Sequence, residues 1–285
     1  MVDRVRQTVV VLTALELEHR EVCAHLSDLS VVRHPAGTIF TVGSLSGTPW
    51  RVVVAVTGDG NAGASVLAER AIATFSPRAL LFVGIAGALH DDLRLGDVVV
   101  GTRVYAYHGG REGESGFSTR PRSWEASHEL EQAARAVARE TRWADGDEPA
   151  VYFRPIAAGE VLLDSGESQL ALHLRSSYSD AAAIEMESAG MANAAHLNLA
   201  LPALTVRGIS DRAGGEKLTT DREGWPSRAA AHAAEFALST LRQMPAEDGY
   251  PTPAGATSAT QVNVANGGTV FAVQHGDQHF YRGQW

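Results

Sequence analysis

Three stretches place carboxylates where short apolar runs end. Glu18 lies in TALELEHR, just after the β-prone run Thr8–Leu12. Glu185 and Glu187 flank Met186 at the end of AAAIEMES, and Asp211 closes ALTVRGISD ahead of Ala213-Gly214-Gly215. Carboxyls at the carboxyl ends of parallel strands face the crevice in which open α/β sheets bind ligands. One carboxyl with a raised pKa can protonate a leaving group while a second, set apart from it, activates water; cleavage of a glycosidic bond needs this division. Each position also has a plainer reading. An acid in a first helical turn, as at Glu18, complements the helix dipole, and Asp211 suits a turn or a cap. Glu185 and Glu187 are harder to set aside, because two acids directly after a buried strand cost free energy unless they are paired or employed.

Two glycine-containing segments accompany the acids. Thr57–Gly63 follows the run Arg51–Val56, and Val83–Ala88, which includes Ala86 and Gly87, follows Ala79–Val83. Read as loops, they let backbone amides approach a ligand closely, although tight turns need glycine too.

The elements that must hold these residues alternate along the chain. Strands are expected at Thr8–Leu12, Arg51–Val56, Ala79–Val83, Asp97–Val104, Tyr152–Ala157, Ala182–Glu185 and Ala203–Arg207. Helices are expected at Glu16–Leu29, Ala62–Phe75, Glu125–Thr141, Glu167–Ser176, Ala189–Leu197 and Ser227–Met244, with Ser76-Pro77 closing the second and Ser227 capping the last. This rhythm predicts one three-layer α/β domain over residues 1–244, its central sheet mixed but largely parallel and covered by helices. The polar, glycine-rich segment His108–Ser123 breaks the rhythm and reads as a long functional loop carrying Arg111, Arg120 and Arg122. Those arginines suit either a phosphate clamp or a solvated face.

After Met244 the composition changes. Residues 245–260 read as a Pro/Gly-rich linker, and Gly249–Gly276 contains no Asp, Glu, Lys or Arg. Within 261–285, two alternating β-prone runs surround Asn266-Gly267-Gly268, which fits either an exposed hairpin or a cross-β segment in an otherwise disordered tail.

The whole chain has 33 acidic against 24 basic residues and a formal charge of -9, which argues against nucleic acid or an anionic membrane as a partner. Cys23 is the only cysteine, so no internal disulfide forms, and no apolar run suits a signal peptide or a membrane span. A reducing cytoplasm is the expected setting. No metal or cofactor is expected.

Taken together, these residues resemble the nucleoside phosphorylase and nucleosidase superfamily, in particular its methylthioadenosine/S-adenosylhomocysteine nucleosidase branch. The likeness runs from about Thr8 to Met244 and rests on TALELE, FVGIAGALHDDLRLGDVVV, AAAIEMESAGMANAAH and LTVRGISD. The resemblance implies that Glu18 activates the attacking water, that Glu187 binds the ribose hydroxyls with Met186 against the sugar, and that Asp211 protonates the purine. It places Arg207 and Ser210 close to the ligand and Leu162 and Leu163 around the base, with a leucine at 162 where an aromatic residue is usual. Phosphorolytic relatives build a phosphate site where this chain has Glu18, so the resemblance implies hydrolysis of an adenine-type nucleoside. A nucleotide read by Arg111, Arg120 and Arg122, and phosphorolysis, are the alternatives. It also implies a homo-oligomer. NGGTVFAVQHGDQHFY resembles RHIM-like amyloid signalling motifs that bacteria append to immune effectors, through Val273-Gln274-His275-Gly276. That second likeness implies a partner protein with a matching motif.

Overall fold

A computed structural model describes residues 7–114, 116–140, 149–214 and 217–245. The linker assigned to 245–260, apart from Pro245, and the motif assigned to 261–285 lie outside the described residues. In chain order the elements are β1 (Gln7–Thr13), α1 (Glu16–Cys23), β2 (Leu26–Arg33), β3 (Ile39–Leu45), β4 (Trp50–Val56), α2 (Asn61–Phe75), β5 (Ala79–Ala88) and β6 (Val98–Ala106). There follow β7 (Gly110–Gly113), β8 (Gly116–Thr119), β9 (Arg122–Glu125), α3 (His128–Ala138), β10 (Val151–Ala158) and α4 (Gln169–Ser177). The remaining elements are β11 (Ala183–Glu185), α5 (Ser188–Leu197), β12 (Ala203–Arg212), α6 (Lys217–Arg222) and α7 (Trp225–Gln243).

Ten strands form one mixed sheet, in the order β11-β10-β6-β12-β5-β1-β4-β3-β2 with β9 paired to β6, and β7 and β8 form a second, two-stranded sheet. β1 runs parallel to both β4 and β5, β5 to β12, and β10 to β6 and β11. β12 runs antiparallel to β6, and the far end of β5 pairs antiparallel with β11, so β5, β12, β6, β10 and β11 close into a ring.

Side-chain alternation explains the layers. Val9 and Val11 of β1 point into a core with α3 and α7, whereas Val10 and Leu12 point into one with α2 and α5. Both faces being covered, β5 is apolar almost throughout, and each of Leu80, Leu81 and Phe82 contributes about 1.5–3 kcal/mol of transfer free energy. Ala64, Ala68 and Ala71 form the buried stripe of α2, small enough for close approach. That helix ends at Ser76, whose φ of 44° is left-handed, before Pro77. Trp50 is buried in the α7 core, and its indole N–H donates to the Leu241 carbonyl at 2.8 Å. No helix of the described residues is long and apolar enough to cross a membrane.

The first helix stops at Cys23, and part of the stretch expected to continue it, from Leu26 on, is strand β2, which pairs with β3 at the sheet edge. Val31 and Val32 favour extended backbone there. The segment His108–Ser123 is not one long loop: β7 and β8 form a hairpin, and β9 runs antiparallel to β6. The third helix begins at His128, because Glu125 belongs to β9. Gly224, at φ 77°, occupies the N-cap of α7 and Pro226 its first turn, so Ser227 lies inside the helix. Val83–Ala88 is strand rather than loop, and β12 continues past Arg207 to Arg212, carrying Asp211 within it.

Candidate active site

Glu18 is the third residue of α1, and its side chain folds back over the helix start. The amides of Ala14 and Leu15 donate to Oε2 at 2.7 and 2.9 Å, and the Ile85 amide donates to Oε1 at 2.8 Å. Three donors, two from the β1–α1 connection and one from β5, fix the carboxylate's orientation. Its burial, at 2% exposure, raises the pKa above the ordinary 4.5, while Arg207 and those amides pull it back in part. Gly84 must be glycine for this arrangement, since a Cβ there would stand 2.5 Å from Glu18 Oε1 and 2.6 Å from Arg207 Nη1.

Arg207 is the hub. Buried in β12, it bonds Glu185 closely, donates to Glu187 Oε2 at 3.2 Å and Ser188 Oγ at 3.4 Å, and reaches the Ile85 carbonyl at 3.3 Å. Its guanidinium carbon lies 4.4 Å from the centre of the Phe82 ring. Glu185, the last residue of β11, accepts the amides of Glu187 at 3.1 Å and Ser188 at 3.0 Å, which ties it to the start of α5. Glu187 occupies the N-cap of that helix and also accepts the Gly60 amide at 3.4 Å. Burial, with Glu185 nearby, pushes its pKa up to about 7 against the pull of Arg207.

Asp211 owes its position to a bulge. β12 pairs Ile209 with Ala86 and then Asp211 with Gly87, so Ser210 is the extra residue in the register. The Ser210 hydroxyl donates to Asp211 Oδ2 at 2.7 Å, and a Cβ on Gly87 would come within 3.0 Å of the other oxygen. Two residues along β5 therefore separate Ile85, which holds Glu18, from Gly87, which faces Asp211. That is about 7 Å of strand.

Glu18, Glu185, Met186, Glu187, Arg207 and Asp211 all line one cavity of about 570 Å³. Ala86, Gly87, Ser210, Leu162 and Leu163 line it as well, Leu163 buried and Leu162 55% exposed at the rim. Arg111, Arg120 and Arg122 are not among its lining residues. The reason is the strand structure of their segment: the β9 register sets Arg122 opposite Ala106, where its guanidinium lies 5.3 Å from the Trp124 ring centre and bonds Asn193. Arg111 is exposed in β7, and the Arg120 amide donates to the Gly109 carbonyl.

Sequence reasoning passed over Asp59, Asp221 and the apolar walls Leu15, Leu17 and Ile184, which also line the cavity. Asp59 sits in the glycine-containing segment Thr57–Gly63, so its place was signalled; Asp221 comes from α6, a helix with no signal of its own. Among the described residues lining the cavity, six carry carboxyls and Arg207 alone carries a permanent positive charge.

The family described as the phosphorylase superfamily matches residues 8–242. The chain is 27% identical over 214 residues to a 5′-methylthioadenosine/S-adenosylhomocysteine nucleosidase of Shewanella piezotolerans, covering 73% of this chain and 88% of the relative. A crystal structure of the corresponding Neisseria meningitidis nucleosidase, in complex with methylthio-immucillin-A, superposes with a TM-score of 0.72 at 26% identity, covering 83% of this chain and 99% of the other. Futalosine hydrolase of Helicobacter pylori shares the fold, with a TM-score of 0.71 at 22% identity over 84% of this chain and 98% of its own.

Proposed function

The chain belongs to the phosphorylase superfamily, and on that premise we propose that it hydrolyses the N-glycosidic bond of an adenine-type purine nucleoside, releasing free base. The observation that carries this reading is the pairing, in one cavity, of a carboxylate locked by three amides, Glu18, with a second carboxyl two β5 residues away, Asp211. Glu18 takes the proton of the attacking water, its raised pKa making it a stronger base than an exposed carboxylate. Asp211, oriented by Ser210, protonates the purine ring nitrogen as the bond to C1′ breaks. Glu187 accepts hydrogen bonds from the ribose hydroxyls and, with Glu185 and Glu18, surrounds the cationic sugar with negative charge as it forms. Leu162 and Leu163 cover the base. Similarity to nucleosidases of the methylthioadenosine type supports the adenine assignment.

The charge of the cavity favours a nucleoside over a nucleotide. A phosphate chain entering this cavity meets six carboxyls, and Arg207 is already engaged by Glu185 and Glu187. The same charges disfavour inorganic phosphate as nucleophile. The alternative, a nucleotide hydrolase recruited through residues 261–285, draws on the uncharged stretch Gly249–Gly276 and on Arg111, Arg120 and Arg122.

Incubating the purified full-length chain with methylthioadenosine, S-adenosylhomocysteine, adenosine, inosine and ATP, and separating products by chromatography, tests both. Adenine should appear from methylthioadenosine with a kcat/KM about 100-fold above that for ATP, a like-charge penalty of a few kcal/mol. A preference for ATP would favour the recruited nucleotide hydrolase instead.

A further inference from the structure

Asn61, the first residue of α2, does not line the cavity, yet it touches both segments that do the binding. Its Nδ2 donates to the Gly159 carbonyl at 2.6 Å and to Glu160 Oε1 at 3.0 Å, and its backbone N–H donates to the same Glu160 oxygen at 3.2 Å. Its Oδ1 accepts the Gly190 amide at 2.9 Å. Gly159 and Glu160 open the loop that carries Leu162 and Leu163; Gly190 lies in the first turn of α5, three residues after Glu187. The neighbouring Gly60, free to adopt φ 98°, donates directly to Glu187. The approach is close at backbone level, for a Cβ on Gly190 would fall 1.9 Å from the Asn61 carbonyl oxygen.

We propose that Asn61 is a positioning residue that fixes the base-covering loop relative to the ribose-binding carboxylate, so that base and sugar are gripped as one rigid unit. This rests on the hydrolase reading above. The chemistry singles out an amide side chain: asparagine offers two donors and an acceptor from one short group, whereas aspartate offers acceptors only. Two of its bonds go to Glu160, one from the side chain and one from the backbone. Hydrogen bonds to an ionised partner carry more weight than neutral ones.

The test is steady-state kinetics on whichever nucleoside the wild type turns over, with hydrogen exchange measured on the same full-length proteins without substrate. Asn61→Ala should raise KM about tenfold with kcat within about threefold. Asn61→Asp sets a carboxylate against the Gly159 carbonyl and Glu160, and should raise KM about 100-fold. The double variant Asn61→Asp with Glu160→Gln restores a donor from the other side and should recover about tenfold of that loss. Exchange of the Gly190 amide and of amides 159–163 should accelerate in Asn61→Ala. Unchanged KM and unchanged exchange in Asn61→Ala would overturn the role of Asn61. So would a fall in kcat alone, which reports only a smaller folded fraction, or a double variant no better than Asn61→Asp. A wild type with no turnover sinks the hydrolase reading, while the exchange result still decides whether Asn61 holds the two segments together.

Discussion

Replacing Glu18 by glutamine is expected to lower kcat by about 10³-fold, within the span that a positioned acid or base supplies, while the melting temperature stays within a few degrees of the wild type. The side chain keeps its volume and can still accept the Ile85 amide, but its NH₂ then meets the amides of Ala14 or Leu15, which are donors themselves. Loss of those bonds is offset by removal of a buried charge whose pKa already stands above 4.5. The pH profile carries the same information. A base must be unprotonated, so wild-type kcat/KM should fall as pH drops through a window above 4.5, set by Glu18 and by Glu187 at about 7. An E18Q variant retaining more than a tenth of wild-type kcat would show that another group activates the nucleophile.

Arg207→Met is expected to cost about 3–5 kcal/mol of stability, because it removes one partner from a buried ionic cluster. Glu18, Glu185 and Glu187 are all nearly inaccessible; the guanidinium is ion-paired with Glu185 and Glu187 and lowers the pKa of Glu18. For a domain of this size the loss corresponds to a melting temperature lower by roughly 10 °C. Its sign with pH follows from the protons. Arg207 lowers the pKa of Glu18 and Glu187, so without it both rise further, and the native state binds more protons than the unfolded chain between 4.5 and the raised values. Stability then falls as pH rises, and the variant's deficit should be larger at pH 8 than at pH 5. Thermal melts at the two pH values check this; equal deficits would mean that the carboxylates do not depend on Arg207 for their charge.

How much of this was readable in the chain depends on how local each feature is. β1, β4 and β5 show as unbroken apolar runs because helices cover both their faces. β2 was missed because it is an edge strand with Leu29 and Val31 more than half exposed, so its apolar residues follow no buried pattern and extend the periodicity of α1. Asp211 was recognisable as an acid after an apolar run, but its placement inside β12 comes from a register shift against β5 that leaves no mark in local sequence. The Arg207 cluster joins residues about 20 positions apart, with Glu18 far upstream, and composition cannot pair them. Glycine and arginine in His108–Ser123 suggested a ligand loop; the hairpin register and the stacking of Arg122 on Trp124 set those side chains elsewhere. Asn61 lay hidden for a similar reason, since its partners are about 100 and 130 residues away.

The most direct measurement is turnover of methylthioadenosine by the full-length chain in H₂¹⁸O without phosphate. Hydrolysis with Glu18 as base predicts adenine and a free methylthioribose carrying one ¹⁸O at its anomeric carbon, formed at a rate that added phosphate does not change. A requirement for phosphate, with a sugar 1-phosphate as product, would contradict it.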